Sequence, residues 1–398
     1  MQIAPTPGPQ DVHAWAKRIR PERSGDRFVS SSQDVDPPPS ASSLRALCAS
    51  ASFTSLPLPH DLRGSTVYNR INLPWLNFGV DFGVTAWGDL GIRNNPQAAP
   101  TLDRMRALGV EDVITWTVPD GRTIRFAADG TPSGLAPGFR EDLTAWLDLL
   151  SARGMSAELV LIDGNTWFLP GAVSDGVAMR GHGDVITDRS GRKQAAFDRH
   201  VLGPMLDTIR AWHDAHPGAP SPISGINLGN ELEYGVNRDP KHPSKNVTSM
   251  DQMSRFARGR ADFIRQRLPG VPLTVGSASP DALFQNWAVP WLDYYTFHHY
   301  GTESLASLAD RLPWPGLGGR VHLGEYPGRR PNGAPVDARD YLAALGGRRG
   351  DSQRAENADR FLRGAAVWAS RTTDPACPAD PAAHMAATRE WFDGAFTR

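Results

Sequence analysis

Cysteine is almost absent from this chain of 398 residues, with only Cys48 and Cys377. That excludes a disulfide-dense scaffold and a cysteine-ligated metal module, because two distant thiols permit one bridge and have no metal-site spacing. Excess charge is missing as well. Lys and Arg number 42 against 43 Asp and Glu, a formal net charge of -1. Nothing in that balance draws the protein toward nucleic acid or an anionic membrane surface. No apolar run approaches the roughly 18 residues of a membrane span. The first thirty residues lack the apolar core of a secretory signal, and "SLRALCASASF" at 43–53 is internal and short. The expectation is a cytoplasmic protein if Met1 is the true start. What the chain does have is 39 Gly, 34 Pro and 12 Trp: many turns and an unusual supply of flat aromatic faces.

Residues 1–70 carry "PTPGP", "DPPPSASS" and "SLPLPHD" without sustained periodicity, and they read as an irregular or disordered arm. Residues 71–398 read as one domain in which short apolar runs alternate with helical patterns. The expected strands are "LNFGVDFGV" from Leu76 to Val84, "EDVITWTV", "SAELVLIDGN", "SPISGINLGN", "PLTVGSAS", "LDYYTFHHYG", "RVHLGEYPG" and "GAAVWAS". A hairpin with two Asp-Gly turns is expected in "DGRTIRFAADGTP". Between strands, Phe139, Leu143, Trp146, Leu147 and Leu150 share one helical face, and Leu202, Met205, Leu206, Ile209 and Trp212 share another. Eight strand–helix repeats predict a closed (β/α)8 barrel, an α/β fold with a parallel sheet. The competing fold is a doubly wound open sheet, and "GVDFGVTAWG" lacks the G-x-G-x-x-G turn that usually follows its first strand.

A barrel gathers the C-terminal ends of its strands on one face, and its active site sits there. Those ends deliver Trp116, Asp163, Asn230, Glu231, Glu233, His298, His299, Tyr300, Glu325 and Trp368. Two carboxylates on strands four and seven, with imidazoles, a phenol and tryptophans around them, suit a sugar. Glycoside hydrolysis needs one carboxylic acid to protonate the leaving oxygen and a second carboxylate as nucleophile or base. Indole faces stack on sugar C–H faces. His298 and His299 are strand neighbours and point to opposite faces, so one of them faces away from the mouth. His322, Trp146 and Trp212 read as structural, Glu233 as supporting or solvated, and Trp87 and Trp167 as alternative sugar platforms.

"GNE" on strand four, "HHY" on strand six, "GEY" on strand seven and "VW" on strand eight resemble glycoside hydrolase clan A, and within it the cellulase-like glycoside hydrolase family 5. The likeness runs from about Leu76 to Ser370. It implies a retaining double displacement with Glu231 as acid/base, Glu325 as nucleophile, Asn230 on the sugar 2-hydroxyl, Tyr300 bonded to the nucleophile and Trp368 as sugar platform. The substrate implied is a β-linked glycan or oligosaccharide, and no cofactor or metal is required. The chain departs from the family where Trp116 replaces an arginine and Asp163 a histidine. Two other readings stand beside this one. Asp163, Glu231, His299 and Glu325 are plausible ligands of a metal-dependent barrel isomerase or hydrolase, although no H-x-H spacing is present. A non-catalytic carbohydrate-binding barrel would keep the tryptophans without needing both glutamates.

Overall fold

The computed structural model describes residues 68–76, 81–85, 89–119, 121–164, 172–174, 177–179, 183–236, 248–300, 320–326 and 362–367. Eight strands close into a barrel. They are β1 (Tyr68–Asn72), β2 (Asp112–Trp116), β3 (Ser156–Val160), β4 (Ile223–Asn230), β5 (Leu273–Ser277), β6 (Tyr295–His298), β7 (Val321–Tyr326) and β8 (Leu362–Val367). Every neighbouring pair is parallel and sequential, and β1 closes the ring by pairing with both β2 and β8. Ile71 is the seam, in register with Val113 on one side and Val367 on the other. This is the expected (β/α)8 barrel. The hairpin is also present, pairing Ile124–Phe126 with Pro132–Leu135.

Helices lie between the strands. Helix α1 is Ala98–Ala107, α2 is Phe139–Ser151, α3 is Gly203–Ala215 and α4 is Met250–Arg267. Of these four, α2 and α3 form where the apolar spacing predicts them. In α2 the five expected residues are all buried against the barrel, as are the five in and just before α3. A π-turn at Asp198–Leu202 joins Arg192–Phe197 to α3. Ser249 starts α4 by accepting the Gln252 N–H at 3.2 Å, which satisfies one of the four otherwise unpaired amides of the first turn. No helix among the described residues is long and apolar enough to cross a membrane.

The first strand differs from the expectation. β1 is "YNRIN", beginning at Tyr68, just inside what the composition marks as arm. The apolar pattern at 76–84 has another cause: within its described part, 81–85 is irregular, and Phe82 is buried against Phe139 of α2, ring centres 5.6 Å apart. The loop is anchored there by the Asp142 carboxylate, which accepts the N–H groups of Gly83 (2.7 Å) and Arg93 (3.1 Å). A loop packed under a helix needs apolar residues as much as a strand does.

Two polar residues of β1, Arg70 and Asn72, enter the bore. The guanidinium of Arg70 donates to Asp112 on β2 at 2.6 Å and to Glu158 on β3 at 2.8 Å. Glu158 also accepts Asn227 Nδ2 (2.9 Å) and the Tyr294 hydroxyl (2.8 Å). His322 of β7 approaches Arg70 at 3.4 Å, which gives it the structural place expected of it. Burial without partners would make these charges very costly, and here each ionised group has an opposite charge or a hydrogen-bond donor. Above this layer Ile114, Trp116 and Val160 form a small apolar cluster.

Residues 1–67 of the expected arm, Cys48, Cys377, Trp87, Trp167, Trp368 and the stretches 301–319 and 327–361 lie outside the described residues.

Candidate active site

Strand β4 ends in an unusual backbone. Glu231 follows Asn230 with φ 51° and ψ 43°, and it is the one non-glycine residue with positive φ among the described residues. A left-handed glutamate costs roughly 1–2 kcal/mol, so its surroundings must impose it. They do so through three short backbone bonds. Glu231 N donates to Gly276 O of β5 (2.6 Å), Asn230 N to Ile162 O (2.7 Å), and Gly164 N to Asn230 O (2.6 Å). Gly164 permits this approach because a Cβ there would lie 2.0 Å from the Glu231 carbonyl oxygen. The turn after β3 therefore clamps the end of β4.

Three buried side chains converge above the clamp. His298, at the end of β6, places Nδ1 2.7 Å from Glu231 Oε1 and 3.2 Å from Glu325 Oε2. One ligating atom from each of Glu231, His298 and Glu325 lies within 4.8 Å of the others. The exposed Tyr300 donates its hydroxyl to Glu325 Oε2 at 2.7 Å. The pairing of β6 with β7 shifts register between Phe297 and His298, which brings these side chains level. Of the two adjacent histidines, His298 reaches the carboxylates, whereas His299 meets Glu325 through its backbone N–H (3.0 Å). Asp163 forms a bridge with Asn230 and accepts its Nδ2 at 3.3 Å. Asn230 is thus oriented beside Glu231.

The charges are strongly coupled. His298 loses hydration on burial, but Glu325 and Glu231 hold its imidazolium so firmly that its pKa is raised to about 9. Burial pushes the Glu325 carboxyl up, to about 8; His298 and the Tyr300 hydroxyl pull it down, while Glu231 and Asp163 push it further up. Glu325 and His298 are coupled, because a proton on either one changes the charge that the other meets. Tyr234 lies beside the same anions, and its hydroxyl is held well above its ordinary range, first by Glu231 and then by burial.

Sequence reasoning brought Glu231, Glu325, His298, Tyr300, Asn230 and Asp163 to this place. It missed Tyr234, and it left Glu233 between supporting and solvated. Glu233 is in fact buried and accepts Trp287 Nε1 at 2.8 Å. Trp116 does not present a platform. Its ring is buried and meets Trp75 edge-on at 4.9 Å, and Trp75 is the more exposed of the two. Both line a small cleft with Asp81, Pro119 and Arg122. The Pro119 carbonyl accepts the Asp163 N–H at 3.0 Å, so the cleft adjoins the backbone that carries Asp163. Tryptophan 75 had no strand-end signal, because β1 was expected later in the chain.

A cation could in principle use Glu231, His298 and Glu325 as ligands. However, the 2.7 Å separation of His298 Nδ1 from Glu231 is a hydrogen-bond distance, shorter than the roughly 3.4 Å between neighbouring ligands of a tetrahedral zinc.

No family model matches the chain, and no curated protein does. Solved structures do. A β-mannanase from the blue mussel Mytilus edulis is 16% identical with TM-score 0.57, covering 82% of this chain and 92% of that one. A β-1,4-mannanase from the sea hare Aplysia kurodai is 16% identical with TM-score 0.55, covering 81% and 92%. An endo-1,4-β-mannanase from Eisenia fetida is 18% identical with TM-score 0.54, covering 82% and 92%. At such identities the likeness concerns the fold, and it bears out the (β/α)8 barrel.

Proposed function

We propose that this protein is a retaining glycoside hydrolase acting on β-linked glycans, with Glu325 as nucleophile and Glu231 as acid/base. The observation that carries the reading is the convergence of these two glutamates on His298, with carboxyl oxygens inside 4.8 Å. Retaining enzymes hold their carboxyls about 5–5.5 Å apart, and inverting enzymes leave about 6.5–9.5 Å for a water. The Glu325 carboxylate attacks the anomeric carbon while the C–O bond to the leaving group breaks and Glu231 gives its proton to that oxygen. A glycosyl ester on Glu325 results. Glu231 then takes a proton from water, the water oxygen bonds the anomeric carbon, and the ester bond breaks.

Tyr300 and His298 both donate to Glu325, and they favour its anion against the burial that raises its pKa. Asn230, oriented by Asp163, lies where a sugar hydroxyl would be held. Trp75 takes over the platform role expected of Trp116. β-1,4-Mannan is the first polymer to try, because the solved structures described above are all mannanases.

The test is hydrolysis of β-mannan, β-glucan and xylan oligosaccharides and of aryl β-glycosides, with and without chelator. Wild type is expected to cleave at least one with retained configuration and indifferently to chelator. Glu325→Ala is expected to be inert, and azide is expected to rescue Glu231→Ala on an activated glycoside. Loss of activity with chelator, or full activity in Glu325→Ala, would replace this reading with the metal-dependent one.

A further inference from the structure

Glu233 has no part in the double displacement, yet it is 95% buried two residues beyond Glu231. It sits in the single turn Leu232–Gly235 that follows the left-handed glutamate. Its Oε1 accepts the indole N–H of Trp287 at 2.8 Å, and Trp287 is itself fully buried in the helical turn after β5. Its Oε2 has no hydrogen-bond partner among the described residues. The titratable groups facing it are Glu231, His298 and Tyr234. The backbone amides of Glu233 and Ala278 face the carboxyl and favour its anion, that of Glu233 more than the Trp287 indole does, but neither bonds Oε2.

An ionised carboxylate in that position is poorly accommodated. It would be dry, unpaired on one oxygen and next to a second carboxylate. A neutral carboxylic acid suits the place better, since its carbonyl oxygen accepts the indole N–H and its hydroxyl carries no charge. Burial, aided by Glu231, raises its pKa to about 7.

We propose that Glu233 is a positioning residue for the acid/base, acting as a neutral carboxylic acid that docks the Glu231 turn onto Trp287. This deepens the glycosidase reading and rests on it. The turn is tied to β5 by the Glu231 N–H on Gly276 and to the helical turn after β5 by the Glu233 side chain on Trp287. With the second released, the turn keeps only its backbone bonds to hold a residue whose dihedral angles are already unfavourable.

The experiment compares Glu233→Gln, Glu233→Ala and Trp287→Phe on two glycosides of the same sugar. One has a dinitrophenyl leaving group, which departs without protonation, and the other has a sugar leaving group, which needs the acid. Glu233→Ala is expected to lose about 100-fold in kcat on the sugar leaving group and only a few-fold on the dinitrophenyl one, with KM little changed. Trp287→Phe should follow it in weaker form. Glu233→Gln keeps shape, neutrality and an acceptor, and it should stay near wild type on both substrates. Equal losses on both substrates would mean general damage, and a glutamine variant as poor as the alanine one would mean that the ionised form is needed. Either result overturns the proposal.

A second readout does not depend on activity. A carboxyl with a raised folded pKa contributes stability that is present below its unfolded value of 4.5 and lost as pH rises through about 7. The melting temperature of Glu233→Gln minus that of wild type should therefore climb between those pH values. A flat difference would overturn the neutral-acid part even if catalysis behaved as expected. A wild type inert on every glycoside would instead remove the acid/base itself, whatever the melting difference showed.

Discussion

Replacing Gly164 with alanine tests whether the turn after β3 sets the geometry of Glu231, the proposed acid/base. The new Cβ would lie 2.0 Å from Glu231 O, 2.6 Å from its carbonyl carbon and 2.9 Å from Leu232 Cα. All three are backbone atoms, so no side chain can swing aside. Cβ contacts under 3.0 Å are essentially never observed, and relief requires the end of β4 or the turn itself to retreat by about 1 Å. A displacement of that size at a reacting group costs on the order of 100-fold in rate, and overpacking a closed core costs about 1–3 kcal/mol of stability. Steady-state kinetics on a substrate with a sugar leaving group, paired with urea unfolding, reads both. The expected outcome is a kcat reduced about 100-fold in a protein that still folds. Wild-type kinetics together with a wild-type unfolding midpoint would refute the clamp. Lost stability with intact kcat would show that Glu231 is positioned from β5 alone.

Other perturbations probe the remaining parts. Arg70→Met leaves Asp112 and Glu158 facing each other in the bore without their cation, and a loss of about 3–5 kcal/mol is expected from urea unfolding; a loss under about 1 kcal/mol would show that the ion cluster is solvated. Tyr300→Phe deletes one donor to Glu325 from an exposed side chain, so kcat should fall about 10-fold or more while the melting temperature stays put. Burial lowers the His298 pKa, but the carboxylates of Glu325 and Glu231 outweigh it and raise the value from 6.5 to about 9; the associated stability is full below 6.5 and disappears as pH rises through 9. His298→Gln should accordingly flatten the melting profile across that window, and an unchanged slope would contradict the assignment. Trp116→Ala should cost about 3–5 kcal/mol as a core deletion, whereas Trp75→Ala should mainly raise KM.

The legible part of this protein is the part written in local pattern. Glu231 and Glu325 could be picked out because each closes a short apolar run, and the barrel rule carries strand ends to one mouth. The helix stripes of α2 and α3 were readable for the same reason. β1 escaped because its inward residues are polar: Arg70 and Asn72 answer to Asp112, Glu158 and Gly324, partners from 42 to 252 residues away in sequence. Periodicity has no access to such pairs. The burial of Trp116 depends in the same way on Trp75 covering it. The docking of Glu233 on Trp287 spans 54 residues, and the left-handed turn at Glu231 is imposed by neighbouring strands rather than by residue type.

The bore cation also bears on how the barrel assembles. Arg70 comes from the strand whose edges complete the circle, while its two carboxylates belong to β2 and β3. Seven strands could align and still hold two anions over an open gap, with the lower interior repelling itself. Arrival of β1 supplies both missing edges and the counter-charge at once, so ring closure and neutralisation are a single cooperative event. A truncated chain that starts after Asn72 would lack both, and it should accumulate as an open, sticky sheet rather than as a slightly weakened barrel.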